Sequence, residues 1–360
     1  MDILRAGIDP GTADHYLWCT PDTVSWGTLP TPTTRPVLTV DSGQTITFDT
    51  VSPEGLMEDQ GRDPVTYFGQ FGVERHHVLP DAVELAASDL RRTHRPPGPH
   101  IVLGPVHVRG AEPGDWLRVD FLELTPRVPY GIISSRHQRG ALPDLLPREI
   151  DGSAIPVFSK FCAVDDAESQ ALFDFEGGRA SIDLRPFMGL CGVTPPGPEA
   201  LSTIPPGPFG GNMDIREMDC GSSLFLPVQT SGAGFYLGDP HFAQGNGEIA
   251  LTALEGSLRV TARLTVVDSG IRHHGPWPFV ETDTEWLILG MNESLDEAMR
   301  HCARLSVEFL SSLTGMTQNE AYLYLSAAGD FSVTQVVDIV KGVHCTIRKN
   351  DFRSVVPAHR

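Results

Sequence analysis

Apolar and polar residues alternate clearly in several stretches of the chain, and these set the first expectations. Between 258 and 266, Leu258, Val260, Ala262, Leu264 and Val266 fall on one side, and Arg259, Thr261, Arg263 and Thr265 on the other. A period of two is that of a half-buried strand. Thr45, Ile46, Thr47 and Phe48 repeat the pattern, as do Leu117, Val119 and Phe121, separated by Arg118 and Asp120. The run Glu112-Pro113-Gly114-Asp115 supplies a turn into that last strand. Residues 179–184 read as another strand. The pattern weakens from 144 to 174, and residues 192–211 are dense in Pro and Gly. A long loop of that kind is either functional or a surface crossing.

Helical periodicity is weaker early and strong late. One short helix is expected near 81–91, with Val83, Leu85, Ala86 and Leu90 as its buried side. In the last third, Ala298, Cys302, Leu305, Phe309 and Leu313 recur at steps of three or four. Ser294 and Glu297 form an S-x-x-E capping box ahead of them, and Gly315 can end the helix. A second helix is expected from Thr317, with Glu320 three residues on, to about Gly329. Residues 331–340 then read as a strand. There is no internal repeat and no clean linker. The expectation is a β-rich α+β fold, one integrated unit over residues 1–360, with a helical hairpin late in the chain against the sheets.

Composition agrees with many short elements: 30 prolines and 36 glycines in 360 residues suit strands joined by turns. The formal net charge of −19 disfavours nucleic acid and anionic lipid, both of which need a basic surface. No run of about 18 apolar residues occurs, and the opening MDILRAGIDPGT lacks the apolar core of a secretory leader. The six cysteines form no C-x-x-C pair, which suits reduced thiols in a cytoplasmic protein.

Two segments carry candidate chemistry. In Gly210-Gly211-Asn212-Met213-Asp214, and in Gly238-Asp239-Pro240-His241-Phe242-Ala243-Gln244-Gly245-Asn246-Gly247-Glu248, oxygen or nitrogen donors stand two residues apart. Residues i and i+2 of an extended backbone share a face, so Asn212 with Asp214 and Asp239 with His241 each offer two ligands to one ion. A hard or borderline divalent cation accepts this donor set without thiolates. Glu248 follows a Gly-Asn-Gly turn and is placed to reach back to the same site. The alternative is plain turn chemistry, since Asp-Pro and Asn-Gly are common in turns and a single His is often satisfied in a core.

These two segments resemble those of the acetamidase/formamidase family, which carry GGN-x-D and GD-x-H-x-x-QGDGE. The resemblance extends to His100 with Gly104-Pro105, to Val108 through Asp115, to Ala321-Tyr322-Leu323 and Ser326, and to Gln335-Val336-Val337-Asp338. It covers roughly residues 37–350. It implies hydrolysis of a short-chain amide to carboxylate and ammonia, a largely antiparallel sandwich-like β fold, and a homo-oligomer. It implies functional roles for Asn212, Asp214, Asp239, His241 and Gln244 through Glu248, with His100 as an additional candidate.

On this reading a divalent metal ion, zinc foremost, is held by Asn212, Asp214, Asp239 and His241. Glu248 is the catalytic proton carrier, and Gln244 and Asn246 are possible additional site residues. Two departures stand out. Asn246 replaces the family's usual Asp, removing a negative charge from the expected ion site. Phe209 stands where formamidase-like members have His, which sets an apolar pocket wall and points away from formamide. The alternatives are a non-catalytic metal or small-molecule binding protein on the same scaffold, and a hydrolase of lactams or other C–N bonds. A cysteine nucleophile near Lys160 (Cys162) has no supporting motif, Gly221-Ser222-Ser223 reads as a turn entering a strand, and the pairs His76-His77 and His273-His274 read as surface or core histidines.

Overall fold

A computed structural model describes residues 3–90, 98–267 and 275–353. The pair His273-His274 lies outside the described residues. Two large, mostly antiparallel sheets form the body. The first runs, in spatial order, His15–Trp18, Thr45–Asp49, Leu258–Val267, Trp116–Pro126, Ser223–Pro227, Phe279–Glu281, Glu285–Asn292, Lys341–Arg348, Asp330–Gln335. In the second, Gly178–Asp183, Gln170–Phe175, Val157–Asp165, Tyr130–Arg136, Leu254–Glu255, Phe235–Ala243, Phe187–Gly192 and Gly210–Asn212 follow one another. Ile101–Val108 also pairs with Phe235–Ala243, and carries Val24–Trp26 and Leu38–Val40.

The expected strands form where apolar side chains alternate. In Leu258–Val267, Leu258, Val260, Ala262 and Leu264 are fully buried and Arg263 is exposed. The two sheets face each other across one apolar core, in which Phe48 of the first meets Phe235 of the second edge-on, 6.1 Å between ring centres. That is the sandwich-like, largely antiparallel arrangement expected.

The outer face of the first sheet is covered by the helical hairpin Leu295–Thr314 and Gln318–Ala328. Its caps are those read from sequence. Ser294 accepts from Glu297 N, Gly315 takes the left-handed conformation with φ 76°, and Thr317 with Glu320 forms a full capping box. Ala298, Cys302, Leu305 and Phe309 point into a second apolar cluster with Phe225, Phe279 and Ile288.

Three expectations are corrected. The early helix is shorter, Pro80–Ala87, and buries Asp81, Ala82, Leu85 and Ala86, leaving Val83 and Leu90 half-buried. Residues 144–174 contain two strands, Val157–Asp165 and Gln170–Phe175, whose faces are both partly exposed, so apolar alternation is blurred. The strand expected over 331–340 stops at Gln335. That side chain accepts from the backbone N–H groups of Val337 (2.9 Å) and Asp338 (3.1 Å) and donates to Val340 O (2.7 Å), closing a turn. The turn carries Asp338 inward.

Candidate active site

The site forms where Phe235–Ala243 lies between Phe187–Gly192 and Leu254–Glu255. Gly189 is its hub. The Gly189 carbonyl accepts from the N–H groups of Met213 and Asp214, both at 3.1 Å, which folds the GGNMD segment back over the strand. A Cβ on Gly189 would lie 2.5 Å from Asp214 Oδ1, 2.7 Å from His241 Cε1 and 2.8 Å from Asp239 Oδ2. The missing side chain is therefore the space in which three candidate ligands meet.

Asp239 and His241 do come to one place, but not through a regular strand. Asp239 has φ 55° and Asp214 φ 52°, so both acids sit in left-handed backbone that most side chains avoid. His241 Nε2 lies 3.1 Å from Asp239 Oδ2 and 3.1 Å from Glu255 Oε1. His100 is buried beside them, its Nε2 3.7 Å from Asp239 Oδ2 and its Nδ1 3.0 Å from Thr203 Oγ1.

The Gly245–Glu248 turn is clamped from below. Gly247 N donates to Thr334 O (2.9 Å), and Val336 N donates to Gly247 O (3.2 Å). Gln244 Nε2 donates to Asp214 O (2.9 Å), so this side chain braces the acid's backbone. Glu248, with φ 44°, turns its carboxyl into the interior. Asn246 is exposed at the tip of the turn. Asn246 and Glu248 line one surface pocket, with Asn246 on its exposed side and Glu248 buried.

Phe209 is buried against the Pro/Gly loop. Its ring lies over Gly207 and Gly211, where an added Cβ would come within 2.7 and 3.0 Å of it. The cavity of about 180 Å³ above the acids is lined by Pro53, Met57, Ile204, Leu251 and Val337 on its apolar side. Ile204 is the only part of the Pro/Gly loop on that wall among the described residues. Asn212, Asp239, Glu248, Glu255, Asp338 and His100 form the polar side.

Three site residues escape a reading from sequence: Gly189, Glu255 and Asp338. Each leaves one local trace. Gly189 interrupts the apolar run Phe187-Met188-Leu190-Cys191, and Glu255 and Asp338 are single acids inside apolar stretches.

The electrostatics follow from five acids packed with two histidines, His241 and His100. Burial pushes Glu248 well above the ordinary carboxylate value, and the Asp214 charge adds to this. Asp338 is raised in the same way, by burial first and then by Asp214. Burial also dominates at Glu255, pushed up to about 8 despite the opposing pull of His241. Asp239 is the exception. Burial works against its charge, but His241 and His100 overcome this and hold it at about 2. His241 is raised well above its ordinary value, since Glu255 and Asp239 outweigh its burial.

This donor set fits a divalent cation. Asn212 Oδ1, both oxygens of Asp214, His241 Nδ1 and Glu248 Oε2 are buried with no hydrogen-bond partner among the described residues. Unpartnered buried polar atoms are costly unless something else satisfies them. One ligand atom each from Asp214, His241 and Glu248 lies within 4.8 Å of the others, and so does one each from Asp239, His241 and Glu255. The thiol alternative has no comparable support: Cys162 is buried and its pKa is pushed up to about 11 by that burial.

Residues 193–349 match the model of the acetamidase/formamidase family, a span that holds every acid of the cluster. The acetamidase of Mycolicibacterium smegmatis is 26% identical over 368 aligned positions, covering 76% of this chain and 84% of that protein. The formamidase of Methylophilus methylotrophus is 26% identical over 159 positions, 39% of each chain. The crystal structure of an acetamidase from Bacillus halodurans shares the fold, with a TM-score of 0.73 and 24% identity over 94% of this chain and 99% of that one. On these matches, and on the GGNMD and GDPHFAQGNGE segments that build the site, residues 193–349 of the chain are similar to the acetamidase/formamidase family.

Proposed function

We propose that this chain hydrolyses a short-chain amide to carboxylate and ammonia, using a divalent cation, zinc foremost, held by Asp214, Asp239 and His241 with the Asn212 oxygen. The observation that carries the reading is the set of buried, unpartnered donor atoms at and beneath the polar side of a cavity of about 180 Å³. Such a cation, when bound, supplies Lewis acidity toward an amide carbonyl and toward water.

The chain's own residues supply the rest. Glu248 takes a proton from the attacking water at its carboxylate and later gives it to the leaving nitrogen, as the carbon–oxygen bond forms and the carbon–nitrogen bond breaks. Burial raises its pKa above the ordinary carboxylate value, the direction that proton transfer to a leaving nitrogen needs. His100 and Asp239 fix the polar side, Gln244 keeps Asp214 in place, and Gly189 keeps the space open.

The apolar wall of Met57, Ile204, Leu251 and Val337 supports a preference for acetamide-like or larger acyl groups over formamide, at about 0.8 kcal/mol per buried CH₂. Six free thiols, five of them buried, fit a reducing cytoplasm. A homo-oligomer, which the family resemblance implies, would be measured by sedimentation.

The test is ammonia release from formamide, acetamide, propionamide and butyramide, with metal content measured on the same protein. Prolonged chelation is expected to abolish turnover and a divalent ion to restore it, with kcat/KM higher for acetamide than for formamide. Full activity in metal-free protein would overturn the metal reading, and a maximum at formamide would overturn the acyl preference.

A further inference from the structure

One cationic side chain at the cavity has no counter-charge among the described residues. Arg136 also lines the cavity, but it is consumed: it donates to Glu54 Oε1 (2.9 Å) and to Asp59 Oδ2 (2.6 Å). Glu54 is itself saturated, taking Gln60 Nε2 and Ser134 Oγ on its other oxygen. Arg139 lines the same cavity, is exposed, and pairs with no carboxylate among the described residues. In a chain of net charge −19, with six acids on or under this cavity, a guanidinium unpaired among the described residues stands out at the mouth.

Its position is fixed relative to the acids. Ala141 N donates to Ile249 O (2.8 Å), which ties the Arg139 turn to the residue that follows Glu248. Gly140 has φ 76° and its Cβ position lies 3.0 Å from Ile249 O, so the turn is seated directly on that strand of backbone. Arg139 and Glu248 therefore bound one cavity from the mouth and the floor.

We propose that the preferred substrate is an amide whose acyl chain ends in a carboxylate, an ω-amido acid, with Arg139 binding that carboxylate. This rests on the reading of the site as an amidase. A guanidinium binds a carboxylate through two parallel hydrogen bonds, and such charge-assisted contacts are the strong ones. The amide end lies at the acids on the floor, and the apolar wall between them takes the methylenes. Hydrolysis is balanced with no further reactant: succinamate and water give succinate and ammonium.

The experiment compares succinamate with butyramide, which has the same chain length and no charge. The metal-loaded full chain is used as wild type, Arg139→Gln, Arg139→Lys and Arg179→Gln. Arg179 is an exposed arginine paired with Asp174 on a remote hairpin, so its variant controls for overall charge. Wild type is expected to favour succinamate. Arg139→Gln is expected to lower the ratio of kcat/KM values (succinamate over butyramide) by about 10- to 100-fold, mainly through KM. Arg139→Lys should keep part of the preference, and Arg179→Gln should keep all of it.

Equal ratios in wild type and Arg139→Gln would overturn the proposal. Calorimetric binding of succinamate separates the two levels. If no amide is turned over but Arg139→Gln still weakens succinamate binding at least tenfold, the carboxylate site stands and the amidase reading falls. If the variant binds succinamate as wild type does, the carboxylate site falls.

Discussion

Two clusters of buried charge lie in this molecule, and they are built on opposite rules. In the first, Arg127 is fully buried among Asp49 and Asp81, with Arg259 on the outer side. Arg127 Nη1 donates to Asp81 Oδ2 at 2.8 Å, Arg259 donates to both oxygens of Asp49 at 2.7 Å, and Tyr16 Oη adds a bond of 2.6 Å. Two arginines meet two aspartates, and the remaining Arg127 donors go to the carbonyls of Leu4 and Thr50. In the second cluster five acids face His241, flanked on two sides, and His100, and several oxygens have no partner among the described residues. The first closes its own electrostatics and holds the sheet edge to the Pro80–Ala87 helix. The second leaves buried donor atoms without a partner among the described residues, which is why we read it as a site for an added cation.

The sharpest way to test the second cluster is to remove one proton carrier while keeping its shape. Glu248→Gln is expected to lower kcat by roughly 10² to 10⁴ while the bound metal and the fold persist. His241→Ala or Asp239→Asn should instead empty the site of metal. Elemental analysis alongside kcat decides between these outcomes. Loss of metal from Glu248→Gln would make Glu248 a ligand, consistent with its reach to Asp214 and His241. An unchanged kcat would end its role in proton transfer.

The first cluster should break differently. Arg127→Met leaves Asp81 and one side of Asp49 buried without their partner, a change that costs about 3–5 kcal/mol in buried pairs. Denaturant unfolding should show that loss. The kcat per folded molecule should persist, because Arg127 lines no part of the cavity. A drop in kcat larger than the drop in folded fraction would mean that the two clusters are coupled.

A third change tests whether empty space is part of the site. Gly189→Ala inserts a carbon against Asp214, His241 and Asp239. Displacements of about 1 Å at a catalytic constellation cost about 10²-fold, so kcat/KM should fall by that order together with metal content. Retained activity with full metal would show that the GGNMD segment shifts aside at little cost.

What could be read from sequence divides along the same line as these clusters. The strand over 258–267, the strand at 45–49 and the capped hairpin of helices follow local rules of period and caps, and each forms where expected. Asn212, Asp214, Asp239, His241 and Glu248 were visible as motifs, and the structure brings them together. Their shared face, however, arises from left-handed backbone at Asp214, Asp239 and Glu248, not from strand alternation. Glu255 and Asp338 reach the site only through sheet pairing and a Gln335-closed turn, both set by partners distant in sequence. Arg127 gave no trace at all, because its partners lie 46 and 78 residues away along the chain (127 − 81 and 127 − 49).

The smallest expected effect is the most instructive about motif reading. Asn246 replaces the family's usual Asp inside QGNGE, and from sequence alone it threatens the ion site. In the fold its side chain is exposed at the turn tip, while Gly247 and Glu248 are buried behind it. The contacts that hold the turn come from the Gly247 backbone and the Gln244 side chain, not from Asn246. A charge at an exposed position is screened by water and salt. Asn246→Asp is therefore expected to leave metal content unchanged and to alter kcat/KM for acetamide by less than about threefold, on the order of 0.6 kcal/mol or less. Titration of the metal-free protein with zinc, and the amide assay, give the two numbers. A tenfold gain in either would return Asn246 to the site and place the turn tip, not the buried cluster alone, in contact with the ion.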